Sequence, residues 1–290
     1  MNSRSFTAVS FLVLISMFYS TTSYGDIIFE NNGKKSAYPD PWDSGSHEGL
    51  GSRETVTSPS YKDPYSIKFY QAFQWDNPEN HSGGYPRNQN HEEATAYGDY
   101  INRTTWVGFA FYIPTDVTVT GERFVIHQHW TWGVAKPAGL DYTLDDGSFS
   151  GAYLTHYDTV KANRTFGYYT ISSSPITKGV WHTFVGSYTP RSDATGEIKI
   201  WFDKSTSSNP DVNVTDWDWP NSSNFSYHRF GLYTIGYTDE ECSPASADYR
   251  IIYIDNVKLA DNNGSFAEVY PGDTTCTLSS GHDNYCRDCW

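Results

Sequence analysis

Methionine is almost missing from this chain, with two in 290 residues, one of them the first. Cysteine is absent before Cys242, basic residues are few, and no convincing amphipathic helix stands out. Scarce methionine beside 23 Tyr, 16 Phe and 10 Trp favours sheets over helices. Lys and Arg number 20 against 34 Asp and Glu, a formal charge of −14, whereas nucleic-acid binding needs a basic footprint. The same charge disfavours long-range steering of an anionic ligand, although salt screens charges beyond roughly 10 Å, so a local basic groove would still admit one. After the first 25 residues no apolar run is long enough to cross a bilayer. No linker, internal repeat or low-complexity tract divides the chain up to Gly272.

What is present begins with Arg4, an apolar run from Phe6 to Tyr19, and small residues at Ser23 and Gly25. This pattern predicts a secretory signal peptide over 1–25, hence a secreted, extracellular protein. One β domain is expected over 26–272 and a cysteine-containing tail over 273–290. Cys242, Cys276, Cys286 and Cys289 predict two disulfides with three possible pairings. The Cys286-Arg287-Asp288-Cys289 spacing also resembles half a zinc site or a redox pair, but no second ligand pair and no thioredoxin-like pattern accompanies it. Sequons at Asn80, Asn102, Asn163, Asn213, Asn221, Asn224 and Asn263 fit a glycosylated secreted protein.

The chain centres on Phe124-Val125-Ile126-His127-Gln128-His129-Trp130, which reads as a strand yet carries three polar, proton-handling side chains. Strict alternation would put Ile126, Gln128 and Trp130 on one side and Val125, His127 and His129 on the other. Neither side is cleanly apolar, and a solvated edge strand with incidental histidines is the plain alternative. Further strands are expected at 26–30, 66–73, 105–114, 166–172, 180–188, 197–203, 227–233 and 249–259. In 105–114 the residues Val107, Phe109, Phe111 and Ile113 share one face with period two. Residues 34–64, 76–90, 131–155 and 211–226 read as loops from their Gly, Pro, Ser and Asp content. Strands separated by turns imply an all-β fold, a β-sandwich or jelly roll of two antiparallel sheets.

Three segments carry a family resemblance: His91-Glu92-Glu93 ahead of the strand Trp106 to Pro114, the Gln128 strand, and Tyr227-His228-Arg229-Phe230-Gly231-Leu232-Tyr233. In this order they resemble the jelly-roll polysaccharide lyases, most closely family 20, the glucuronan lyases, within the wider heparin-lyase-like and alginate-lyase-like group. The last segment is similar to the tyrosine-bearing strand of alginate lyases. The resemblance implies a concave substrate groove, with Tyr233 as the catalytic tyrosine, Gln128 facing the substrate carboxylate and His91 as the active-site histidine. It further implies substrate contacts from Arg229, Tyr227, His127, His129 and Trp130. One departure is plain: where alginate lyases carry Gln-Ile-His, Trp130 stands two residues after Gln128. No cofactor is expected for the chemistry, but the resemblance to jelly-roll carbohydrate domains implies a structural Ca²⁺ through Glu30 and Asp255, whose oxygens suit that ion.

Eliminating across a 4-linked uronate requires removing the C5 proton, which is weakly acidic while the adjacent carboxylate is ionised. That carboxylate must first be neutralised or polarised: a neutral Gln amide can donate to it, and a protonated His or an Arg can offset its charge. Tyrosine is a poor base at its ordinary pKa of about 10, and Arg229, four residues before Tyr233, is expected to share its face and lower that value. In glucuronate and mannuronate the C5 proton and C4 oxygen lie on the same side, so one tyrosine can serve as base and acid. The expectation is a monomeric, endo-acting lyase on an anionic polysaccharide, β-1,4-glucuronan or alternatively polymannuronate. Two other classes remain open: a non-catalytic carbohydrate-binding domain, and a glycoside hydrolase, which needs two carboxylates about 5 to 10 Å apart. Glu92 and Glu93 are adjacent and point apart in a strand, which counts against the hydrolase.

Overall fold

The computed structural model describes residues 27–31, 47–48, 51–62, 64–72, 91–100, 103–117, 123–131, 138–145, 148–157, 166–172, 176–191, 193, 195–217, 225–234 and 249–272. In chain order these form β1 (Ile27–Asn31), β2 (His47–Glu48), β3 (Gly51–Val56), β4 (Ser66–Ala72), β5 (His91–Tyr100), β6 (Thr105–Tyr112), β7 (Arg123–Thr131) and β8 (Ala138–Asp145). There follow β9 (Ser148–Tyr157), β10 (Phe166–Ser172), β11 (Trp181–Thr189), β12 (Gly196–Phe202), β13 (Val212–Trp217), β14 (Phe225–Thr234), β15 (Tyr249–Ala260) and one helical turn, α1 (Phe266–Val269).

The strands pair into two antiparallel sheets. One runs β13-β12-β11-β6-β15-β4-β3 with β1 also paired to β15, and the other runs β10-β9-β8-β7-β14-β5-β2. Neighbours in space are mostly distant in sequence, as in a jelly roll. The inner faces meet in one core where Phe109, Phe111, Phe184, Ile200 and Ile252 of the first sheet pack with Ile126, Phe230 and Leu232 of the second. The period-two face of β6 is part of it: Val107, Phe109, Phe111 and Ile113 are all buried. Phe109 touches Phe184 with centroids 5.0 Å apart and meets Phe230 edge-on at 5.4 Å. Burying each such ring contributes about 1.5–3 kcal/mol.

A smaller cluster seals the other side of the first sheet, where Phe266 and Val269 of α1 pack with Val185, Trp201 and Ala260. Gly108 makes this approach possible, because a Cβ there would lie 1.8 Å from the Val269 carbonyl oxygen.

Three stretches expected as loops contain strands. Within 34–64 lie β2 and β3. Within 131–155 lies most of the β8–β9 pair, which carries the second sheet outward from β7. Within 211–226 lies β13, whose Val212 and Val214 are buried while Asn213 between them is exposed. Their content of Gly, Pro, Ser, Asn and Asp hid all three. The β8–β9 pairing closes at Asp145 opposite Ser148, leaving Asp146-Gly147 between them in sequence, and Asp-Gly is a strong two-residue hairpin signal.

The expected signal peptide, the loop over 76–90, the four cysteines and the sequons at Asn80, Asn102, Asn163, Asn221 and Asn224 lie outside the described residues. Asn213 and Asn263 are exposed. Among the described residues no helix is long and apolar enough to cross a membrane.

Candidate active site

Strands β5, β14 and β7 are consecutive neighbours inside the second sheet. The 124–130 segment is therefore a central strand, not an edge. Two rungs of this ladder carry the residues of interest. Arg229 on β14 stands in register with Gln128 on β7 and Thr95 on β5. Tyr233 stands in register with His91 on β5 and Val125 on β7. The β14–β5 pairing runs unbroken from Tyr227 to Tyr233, so the even spacing keeps Arg229 and Tyr233 in phase on one face. Tyr227 pairs with Trp130 and Tyr97 in the same phase. His91, Trp130, Tyr227 and Tyr233 are placed by register alone, and their side chains lie outside the described part of the structure.

Against β7 the pairing slips. Phe230 is opposite His127 but Tyr233 is opposite Val125, so β14 carries an extra residue there. Gly231 sits inside this irregularity with φ +139°, a conformation that favours glycine. β7 in turn gains a residue on β8 between Val125 and His127. Bulges of this kind re-aim a strand and cluster beside active sites. The second one also breaks the alternation expected for β7: Ile126 joins the core, and so does its neighbour His127.

The polar rung is shielded from solvent. Gln128 is 6% exposed and Arg229 is half-buried, which strengthens an amide or guanidinium hydrogen bond to an anion relative to water. Register also revises one expected role. Arg229 is four positions from Tyr233, on the order of 13 Å along a strand rising about 3.3 Å per residue. It is the immediate neighbour of Gln128, whereas His91 is the immediate neighbour of Tyr233.

His127 and His129, expected to contact substrate, are turned into the core. Both are fully buried on the inner face, as is His228, which sequence reading passed over. His127 packs on Phe109 and Phe184, and His129 stacks on Tyr188 with centroids 4.9 Å apart. They point inward because the odd positions of β7 after the bulge face the opposing sheet. Burial drives all three imidazoles toward the neutral form: it holds His127 and His228 well below the ordinary histidine value and takes His129 down to about 3. Burial likewise pushes the Tyr188 phenol up.

Glu30 and Asp255, expected to hold Ca²⁺, are set apart by register, and the Glu30 side chain lies outside the described part of the structure. Glu30 pairs with Lys258, three positions from Asp255. The Asp255 carboxylate accepts backbone N–H groups instead, from Tyr61 at 2.8 Å and from Asn256 at 2.7 Å. Among the described residues no group of three or more His, Cys, Asp or Glu is placed to hold a metal ion.

A family profile described as polysaccharide lyase matches residues 35–258, most of the chain and both rungs. The chain belongs to the polysaccharide lyase family. It is thus a carbon–oxygen lyase acting on polysaccharide. No curated protein matches it. Among solved structures it is similar to the endo-β-1,4-glucuronan lyase of the fungus Trichoderma reesei, at 20% identity and a TM-score of 0.65, covering 86% of this chain and all of that one. It is less similar to an alginate lyase of Pseudomonas aeruginosa, at 17% identity, a TM-score of 0.41 and coverage of 66% and 82%. An alginate lyase from a Chlorella virus follows at 9% identity, a TM-score of 0.46 and coverage of 73% and 90%. The likeness to the Trichoderma reesei enzyme shows the shared jelly-roll fold.

Proposed function

We propose that the protein is a secreted, endo-acting lyase that cleaves a 4-linked polyuronate, β-1,4-glucuronan before polymannuronate, by β-elimination to unsaturated uronate oligosaccharides. The observation that carries this reading is the pair of rungs on neighbouring strands, Arg229 with Gln128 and Tyr233 with His91. A uronate needs two different services, and each rung offers one.

At the first rung, Gln128 donates an amide N–H to the substrate carboxylate and the Arg229 guanidinium offsets its charge. Both act where developing enolate charge must be stabilised, in surroundings largely stripped of water. At the second rung, Tyr233 takes the C5 proton and delivers it to the C4 oxygen as that bond breaks. His91 beside it assists, either as a hydrogen-bond partner of the phenol or as the alternative base. The rungs are three β7 positions apart, on the order of 10 Å, an interval that a tyrosine and a glutamine converging on one sugar can span. Syn geometry in glucuronate lets one tyrosine fill both roles, and the fold shared with a glucuronan lyase supports the same substrate.

The test is incubation of the purified protein with glucuronan, polymannuronate, polyguluronate and pectate, following ultraviolet absorbance from the new C4–C5 double bond and the size of the products. Glucuronan should give the fastest rise, with mid-sized fragments appearing first. Sugar retention without absorbance on any polymer would leave a non-catalytic binding domain.

A further inference from the structure

Two imidazoles meet on the reverse side of the Gln128–Arg229 rung. His127 Nε2 and His228 Nδ1 are 3.0 Å apart, and the two rings lie edge to edge and nearly coplanar, with 14° between their planes and centroids 5.2 Å apart. The contact is diagonal, since His127 is in register with Phe230 and His228 with His129. It therefore crosses beneath the rung that presents Gln128 and Arg229 to the other face. The pair is enclosed by Phe109, Phe184, Tyr188, His129 and Phe230.

Stability does not account for histidines in this place. Whichever imidazole donates, one ring N–H and one ring lone pair are left over, and His127 Nδ1 and His228 Nε2 have no hydrogen-bond partner among the described residues. Burying such atoms is unfavourable, and apolar side chains would fill the volume without that penalty. In some proteins a buried polar group is retained because it selects one register over another.

Register is what this ladder has difficulty keeping. β14 and β7 run in step only from Ser226 opposite Thr131 to Phe230 opposite His127, then slip before Tyr233. On its other side β7 slips against β8 at the same level. A slip of one residue through the regular section would turn Gln128 into the core and a histidine onto the sugar face. The His127–His228 bond sits at the last regular rungs, where the ladder can unzip into the bulge.

We propose that His127 and His228 are positioning residues whose buried hydrogen bond locks the β7–β14 register and so fixes Gln128 opposite Arg229. The activity consequence rests on the lyase reading above, whereas the register consequence stands without it.

Two double variants test the lock. His127→Leu with His228→Leu removes the bond and keeps apolar bulk. His127→Gln with His228→Asn retains it, because a Gln amide group reaches the place of imidazole Nε2 and an Asn amide group that of Nδ1, so the N–H of one can donate to the oxygen of the other. The apolar pair is expected to melt no lower than wild type, yet to show roughly tenfold faster hydrogen exchange at the Gln128 and Arg229 amides, a local opening. Its turnover on uronan should fall by about 10²-fold, as for a misplaced catalytic group. The amide pair should restore slow exchange and most of the turnover, a rescue that volume filling alone does not predict. Wild-type exchange in the apolar pair overturns the proposal. If the apolar pair fails to fold, the amide pair decides: slow exchange at both amides supports the lock and fast exchange overturns it. If the wild type cleaves no uronan, the lyase reading fails while the exchange result still judges the register.

Discussion

Arg229 and Gln128 stand opposite each other on β14 and β7, a cation beside a nearly buried neutral amide. Together they can bind a carboxylate more tightly as its charge spreads into an enolate than in the ground state. Removing one such donor from a preorganised site typically costs about 10²–10³-fold in turnover. Gln128→Ala should fall in that range with a native melting curve. Arg229→Lys keeps the charge but loses the planar fork, so it should retain more turnover than Arg229→Ala while weakening substrate affinity. Near-normal kcat in Gln128→Ala would show that the carboxylate is held elsewhere.

Gly231 bends β14 between the two rungs. Alanine would be held at φ +139°, and non-glycine residues in such sparsely populated conformations cost on the order of 1–3 kcal/mol. Gly231→Ala should lower the melting temperature accordingly, or straighten the bulge and shift Tyr233 against β7. Either way turnover should fall further than at a core site of equal stability loss. An unchanged melting curve and unchanged kcat would mean that the bend is not what aims Tyr233.

Much of this was legible in the amino-acid order, and the misreadings have physical causes. The β6 face Val107, Phe109, Phe111 and Ile113 announces itself because large apolar residues alternate without a break. The inward Phe230 and Leu232 are equally readable from their spacing. His127 and His129 were misassigned because a histidine in sequence carries no sign of whether it faces sugar or core. Their inward direction is set by a bulge and by partner strands far away in the chain. Tyr233 could be matched with Arg229 by counting four residues, but His91 as its nearest neighbour depends on β5 pairing across some 140 residues. His228 gave no signal of its own, since a bond to His127 over 101 residues is invisible to local periodicity.

His182 is built the opposite way from the buried cluster. Its Nδ1 lies 2.7 Å from Asp203 Oδ2 and its Nε2 lies 2.9 Å from the Thr177 carbonyl oxygen. Both partners are acceptors, an arrangement that favours the doubly protonated, charged ring. Burial works against that charge, but the Asp203 and Thr177 hydrogen bonds outweigh it and raise the pKa above the ordinary 6.5. A raised histidine contributes stability below the unfolded value and loses it as pH rises through the folded one. His129, depressed to about 3, does the reverse: its contribution is present above 6.5 and declines as pH falls from there towards 3. His127 and His228 act in the same sense. The melting temperature should therefore decline on both sides of an optimum near neutrality. Asp203→Asn tolerates the φ of +50° at this position and should lower the melting temperature more at about pH 6 than at about pH 9. An equal loss at both values would mean that His182 is neutral.

Tyr233 is where the proposed chemistry can be isolated. Its register neighbours are His91 and Val125, one able to exchange protons and the other apolar, and the rung proposed to bind the carboxylate lies several positions away. Tyr233→Phe removes one oxygen and keeps the ring, so the fold and the grip on the polymer through Gln128 and Arg229 should both persist. Losing one general acid–base group costs about 10²–10⁴-fold in rate, and here a single phenol would hold both roles, which puts the expected loss at the upper end or beyond. The decisive set is a native melting curve, retained uronan binding, and kcat for unsaturated product. Turnover within about tenfold of wild type, short of that range, would move the base to His91. His91→Ala would then be the variant that abolishes absorbance at C4–C5, whereas under the Tyr233 assignment it should leave measurable elimination with a shifted pH profile.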